Sequence, residues 1–163
     1  MDSDIIIGEL ETNEINSFSN LVNTVFDEFV GKDYSEEGNN TFKDYTDLKN
    51  ILIRFNEKTG KFYAAKYQNE IVGILEIKNN DHISLFFVKK EFHGRGIGKK
   101  LFEHFIKHVN SEAETITVNS SIYAEKIYAR IGFIKTGEIE ETNGIKYIPM
   151  SFKLRRKNDR TCK

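Results

Sequence analysis

Gly94, Gly96 and Gly98 alternate with Arg95 and Ile97 between an apolar run that ends at Val88 and an amphipathic pattern that continues through Leu101. Residues of these types in this order suit phosphate binding. Glycine removes the Cβ atoms that would hold an anion off the backbone, and it permits the positive φ angles that turn successive N–H groups into one concavity. A helix that starts at this loop adds its unsatisfied first-turn N–H groups and the positive end of its dipole. Lys89, Lys90, Arg95, Lys99 and Lys100 lie within twelve positions of one another and supply charge of the right sign.

Spacing separates the ligand families that use such loops. A dinucleotide fingerprint starting at Gly94 needs glycine at position 99, which is Lys99. A nucleotide P-loop ending at Gly98-Lys99 needs glycine at position 93 and Ser or Thr at position 100, where His93 and Lys100 stand. A plain strand-to-helix turn with a basic rim has the same local pattern, so the rest of the chain has to decide.

Other chemistry is poorly represented. The single cysteine, Cys162, is next to last and has no partner, which argues against both disulfides and a cysteine nucleophile. His82, His93, His104 and His108 form no zinc spacing, so no metal is expected. A net charge of −1 argues against a general nucleic-acid binder, and the basic run Lys153 to Lys157 is expected to be a solvated end. No apolar run approaches the roughly eighteen residues of a membrane span, and Met1 to Asp4 is acidic. A soluble, cytoplasmic protein without a membrane partner is expected. At 163 residues with no linker or repeat, the chain reads as one domain, 1–163.

The elements that would carry the loop follow from periodicity. Residues 5–10 form an opening strand, and apolar positions 15, 18, 21, 22, 25, 26 and 29 recur at helical spacing. A polar stretch from Gly31 to Asn40 precedes a second helical pattern through Phe42, Tyr45, Leu48, Leu52 and Phe55. Phe62–Tyr67, Ile71–Ile77 and His82–Val88 then alternate as a meander of strands. After the loop come a helix from Ile97 to Val109, a strand from Thr115 to Val118 and a helix from Ala124 that stops at Gly132. Two strands, Phe133–Glu140 and Ile145–Leu154, close the chain across Asn143-Gly144. Pro149 falls inside the last of these, where a missing N–H predicts a bulge or an open edge.

Strand, loop and helix, followed by Ala124-Glu125-Lys126-Ile127-Tyr128-Ala129-Arg130-Ile131-Gly132-Phe133, resemble the GNAT superfamily of N-acetyltransferases. The likeness rests on the pattern [Q/R]-x-x-G-x-[G/A], here His93 to Gly98, and on the A-x-x-x-Y-x-x-x-G-F segment about thirty residues later. His93 replaces the usual Gln or Arg, and Ser121 stands where many members have asparagine, with Asn119 two positions earlier. The resemblance implies an α/β (α+β) fold with a mixed, mostly antiparallel sheet of six or seven strands and about four helices. It also implies acetyl-CoA as donor and an amine as acceptor. The pyrophosphate would sit on the N–H groups of Gly94, Arg95, Gly96, Ile97, Gly98 and Lys99. The pantetheine arm would run along Phe86, Phe87 and Val88, near Asn119, Ser121 and Ala124.

Direct acetyl transfer needs a neutral amine, whereas a lysine-like amine with pKa ~10.4 is unprotonated in only about one molecule in ~2,500 at pH 7. His82 is the leading candidate for the base, because imidazole titrates near neutrality and alternation puts it on the strand face of Ser84 and Phe86. A histidine opening a strand is equally a plain turn residue. Glu28, Glu37 and Glu76 are reserve bases or amine anchors, and water is the remaining choice. The resemblance casts Tyr128 as the acid that protonates the departing thiolate. It places the acceptor between residues 26 and 42, where Glu28, Tyr34, Glu37 and Phe42 form an aromatic and acidic group suited to a cationic amine. A sensor that binds acyl-CoA without turnover would keep the same loop. The sequence allows a monomer or a homodimer.

Overall fold

The computed structural model describes residues 4–109 and 112–155. The basic end from Arg156 onward and Cys162 lie outside the described residues. Among the described residues there are eight strands and five α-helices. The strands are β1 (Ile5–Glu9), β2 (Gly60–Tyr67), β3 (Glu70–Lys78), β4 (His82–Val88), β5 (Thr115–Ser120), β6 (Ile134–Lys135), β7 (Glu140–Thr142) and β8 (Ile145–Lys153). The helices are α1 (Ile15–Phe29), α2 (Glu36–Tyr45), α3 (Leu48–Asn56), α4 (Ile97–His108) and α5 (Glu125–Ile131). The sheet runs β1-β2-β3-β4-β5-β8-β6, with β7 also on β8, and only the β4–β5 pair is parallel. No described helix is long and apolar enough to cross a membrane.

One core lies on each face of the sheet. Leu101, Phe102 and Phe105 of α4 pack with Val72, Leu75 and Ile77 of β3 on one side. Phe18, Val22 and Ile51 of α1 and α3 pack with Phe62, Ile74 and Leu85 on the other. The apolar positions that mark α1 by spacing are the ones it buries, Ile15 through Phe26. The helical pattern after residue 40 divides instead into two helices. Ser35 caps α2, its Oγ accepting from the Gly38 N–H at 3.1 Å, so the helix starts inside the polar stretch. It ends at Thr46, and α3 begins after Asp47, whose backbone is extended. These additions account for the fifth helix.

The last hairpin is also more broken than alternation predicts. Pro149 lies opposite Asn119 of β5, and its carbonyl accepts from the Thr136 N–H on the other side at 2.9 Å. The missing N–H of Pro149 therefore faces β6 and β7, and this is where the ladder lapses between Lys135 and Glu140. The open edge that the proline predicts splits one strand into two.

Two irregularities in the centre of the sheet shape everything near the loop. Glu76 pairs with Leu85 while Ile77 pairs with Ile83, so Ser84 is an extra residue on β4. Beside this bulge, the fully buried Glu76 accepts from Arg54 Nε at 2.7 Å and Nη2 at 3.2 Å, and from the Tyr45 hydroxyl at 3.3 Å. Arg54 Nη1 donates to the Tyr45 carbonyl at 2.8 Å, and its guanidinium lies 3.8 Å from the centre of the Tyr45 ring. Glu76 is thus a satisfied structural carboxylate. Its lone pairs are committed, and it is not a reserve base.

Removing only the cation should be severe, because it leaves a buried charge uncompensated. Arg54→Met is expected to lower unfolding free energy by about 3–5 kcal/mol in urea denaturation, and Arg54→Met with Glu76→Leu to recover most of it. A loss below about 1 kcal/mol in the single variant would show that the pair does not hold this region.

Candidate functional site

The glycine loop follows β4 through one turn of 3-10 helix at Lys90–Phe92. Gly94 and Gly96 adopt φ of 77° and 74°, the left-handed region that glycine enters without a Cβ penalty. A Cβ built on either would meet no atom within 4 Å. Both residues line the cavity described below, so the space left free is open to a ligand. Gly96 is the N-cap of α4 and offers no side chain to its N–H groups. The first helical bond runs from Lys100 N–H to the Gly96 carbonyl at 3.0 Å, so the N–H groups of Ile97, Gly98 and Lys99 have no carbonyl of the helix to reach. Gly98 lines the cavity too and also serves packing: a Cβ there would lie 3.0 Å from the Phe86 ring.

Not every loop residue contributes its side chain. Ile97 is buried in the core, and Arg95 lies over the Phe92 ring at 4.9 Å; neither side chain lines the cavity. Lys99 does. His93 staples the loop to the strand, with Nε2 at 2.7 Å from the Val88 carbonyl, and its ring rests 5.3 Å from that of Phe29.

Beyond the loop, β4 and β5 part. They pair only at His82–Thr117 and Ile83–Val118, whereas β5 stays paired with β8 from Thr115 to Ser120. The Lys89 N–H bonds the Val72 carbonyl of β3 at 2.8 Å, so by alternation the N–H of Val88 points the other way, into the gap. A cavity of about 570 Å³ passes through this fork. On the α4–α5 side it is lined by Gly94, Gly96, Lys99, Ile127 and Arg130. On the α1–α2 side it is lined by Val25, Phe29, Tyr34, Phe42 and Phe87. Phe86, Val88, Asn119, Ser121, Ala124 and Tyr128 stand along the passage.

Tyr128 is buried between Phe86 and Phe133, with ring centroids 5.8 and 5.4 Å away. Burial pushes its hydroxyl well above the ordinary phenol range, and Tyr34 across the passage adds to this. Tyr34 is itself pushed up to about 12 by burial and then by Asp33. Both phenols therefore stay protonated at neutral pH. Ser121 Oγ accepts from the Ala124 N–H at 3.2 Å and fixes the turn that leads into α5.

Three sequence candidates do not reach the cavity. Glu28 lies on the outer face of α1 and pairs with Lys90 at 2.9 Å. Glu37 is exposed in the first turn of α2, where it faces solvent. His82 does not line the cavity, and the bulge at Ser84 exchanges the strand face on which alternation puts it. Ile83 and Phe86, three residues apart, both pack toward α4, so the alternation reverses between them and His82 falls on the face opposite Phe86. Its Nδ1 lies 2.8 Å from Thr117 Oγ1 at the paired end of the fork. Burial and then Lys78 lower its pKa while Asp81 raises it, so the ring is mostly neutral at pH 7. Phe29, Tyr123 and Arg130 were not singled out by sequence. Phe29 read as one more core position of α1, whereas Tyr123 stacks on it at 5.1 Å beside the cavity.

Residues 30–154 match the family of acetyltransferase (GNAT) domains. The chain belongs to the GNAT acetyltransferase family. An N-acetylaspartate synthetase of Danio rerio is 29% identical over an alignment of 107 residues, and the match covers 60% of this chain and 38% of that protein. The match thus spans well under half of that relative. Among solved structures, a GCN5-related N-acetyltransferase from Rhodopseudomonas palustris superposes with a TM-score of 0.78 at 21% identity, covering 91% of this chain and 95% of that one. The PaiA N-acetyltransferase of Thermoplasma acidophilum, solved with coenzyme A, gives 0.73 at 19% identity, over 92% and 99% of the two chains. The GNAT fold expected from the two motifs is the fold observed.

The φ angle at Gly96 and the open space around it give separable expectations. Gly96→Ala should weaken coenzyme A binding by roughly tenfold, since a left-handed alanine costs about 1–2 kcal/mol. Gly96→Asn should weaken it less, because asparagine tolerates that conformation, with calorimetry as the readout. Equal loss in both variants would mean that the side chain's occupation of the cavity, and not backbone strain, sets the effect.

Proposed function

We propose that this protein transfers the acetyl group of acetyl-CoA to a primary amine, both substrates being bound together in the cavity at the β4–β5 fork. The observation that carries this reading is the fork itself. It joins an anion-binding helix start on one side of the sheet to an aromatic recess on the other, with a protonated tyrosine in the passage. The residues present fit the donor: unbonded N–H groups at the start of α4, Lys99 beside them, and an unpaired strand edge from Ser84 to Val88. Acetyl-CoA supplies an activated acyl thioester.

The chain's own residues then divide the work. Gly94 to Lys99 and Arg130 hold negative charge at the helix start. The Val88 N–H is a fixed donor in the fork, suited to stabilising negative charge that develops on an acyl oxygen. Tyr128 carries the proton for the leaving thiolate. Its raised pKa makes that transfer costlier, at about 1.4 kcal/mol per unit, but keeps the acid loaded at every accessible pH. The base is assigned to no side chain, because His82, Glu28 and Glu37 lie away from the cavity. Apolar surroundings lower the pKa of an amine and favour its neutral form, so the proton leaves to water.

The relative's name includes aspartate, yet neither Lys nor Arg stands among the residues lining the α1–α2 side, where a second carboxylate would need a partner. Aspartate is not carried over. A sensor reading, in which acyl-CoA binds without turnover, is distinguished by thiol release.

Tyr128→Phe is expected to lower kcat by roughly 10–10⁴-fold in a free-thiol assay while coenzyme A affinity stays within about twofold. Turnover close to that of the unaltered protein would remove Tyr128 from the mechanism. The profile of kcat/KM should rise with pH as the amine deprotonates. It should show no descending limb below about pH 10, since the raised pKa values of Tyr34 and Tyr128 preserve their protonated forms to higher pH. A descending limb centred near pH 8 would point to a different acid.

A further inference from the structure

The glutamates that would make the acceptor site attractive to a cation are turned elsewhere, and what remains on the α1–α2 side is mainly aromatic and aliphatic, with Ser84 and His93 as polar lining residues. Val25, Phe29, Tyr34, Phe42, Phe87 and Tyr123 line it, and among the described residues no Asp or Glu lines the cavity. The rings are fixed against one another. Phe42 lies flat on Phe26 at 3.8 Å and meets Phe87 edge-on at 6.0 Å, while Phe29 stacks with Tyr123 at 5.1 Å. Phe26 in turn is met edge-on by Tyr34 at 5.3 Å. The recess is held in shape from outside: Ser35 Oγ and Thr41 Oγ1 donate to the carbonyls of Gly144 and Asn143, docking α2 on the β7–β8 turn.

We infer that the acceptor is a primary amine on an aromatic or alkyl body with one nitrogen centre, and not a polyamine, an aminoglycoside or an amino acid. This rests on the acetyl-transfer reading and names its second substrate. An apolar body buries its surface against these rings, and flat rings stack in the offset or edge-on manner the recess already shows. A second ammonium would lie desolvated in a recess with no carboxylate among its described lining residues to pair with it. A carboxylate on the acceptor would find no cation on the α1–α2 side. The same apolar lining favours the neutral amine, so specificity and deprotonation have one physical source. Tyr34 and Tyr128 supply the hydroxyls that can orient the nitrogen.

Binding and turnover test the two levels separately. The full chain saturated with coenzyme A is titrated calorimetrically with 2-phenylethylamine, hexylamine, spermidine, kanamycin and L-aspartate, and each is then offered with acetyl-CoA in a free-thiol assay. The expected result is that 2-phenylethylamine or hexylamine binds at least tenfold more tightly than the other three. Tyr123→Ala, at a surface position that leaves the core intact, should weaken that binding by about tenfold with coenzyme A affinity unchanged. Tighter binding of spermidine, kanamycin or aspartate overturns the inference, as does failure of both apolar amines to bind. Selective binding of the apolar amines without thiol release would sustain the ligand class and overturn acetyl transfer.

Discussion

The parting of β4 from β5 is the constraint on which the rest of this site depends. A sheet ordinarily satisfies its backbone by pairing every strand on both sides, and an open gap in its centre leaves N–H and C=O groups to be satisfied otherwise. Here β5 commits its length to β8, and the bulge at Ser84 bends β4 away after two shared pairs. Beside the bulge, Arg54 and Tyr45 satisfy the Glu76 carboxylate, and among the described residues no buried side-chain N or O lacks a partner. A structural ion pair in one core thus lies beside the opening in the sheet.

The fork also sorts charge. Cationic and N–H groups gather on the α4–α5 side, aromatic rings on the α1–α2 side, and two phenols with raised pKa values face each other between them. This division answers two opposing demands. Phosphates need donors and fixed positive dipoles, whereas an amine nucleophile needs surroundings that disfavour its cation. Were both on one face, the field that holds the donor would have no apolar boundary separating it from the acceptor. The sheet supplies that boundary.

Much of the frame was legible because it depends on local rules. The apolar spacing of α1 and α4, the strands His82–Val88 and Thr115 onward, the glycine stop of α5 and the open edge opposite Pro149 all follow from periodicity, φ preference or a missing donor. The two motifs carried the family. Less legible was anything that depends on which face of an element a side chain takes once neighbours pack. Glu28 and Phe29 are adjacent on α1, yet one pairs with Lys90 outside and the other lines the cavity. His82 was misplaced by a single extra residue, since one bulge exchanges the two faces of a strand.

From the sequence alone came the phosphate loop, its placement between a strand and a helix, the tyrosine of the second motif and the class of fold, because each is written in residues close together along the chain. Tertiary structure alone decided the character of the recess proposed for the acceptor. Its walls come from α1, α2, β4 and the turn before α5, segments up to about a hundred residues apart. Composition between residues 26 and 42 suggests an aromatic and acidic recess, and packing keeps the rings of Tyr34 and Phe42 there but not the carboxylates, because helices bury rings against the sheet and leave carboxylates to water.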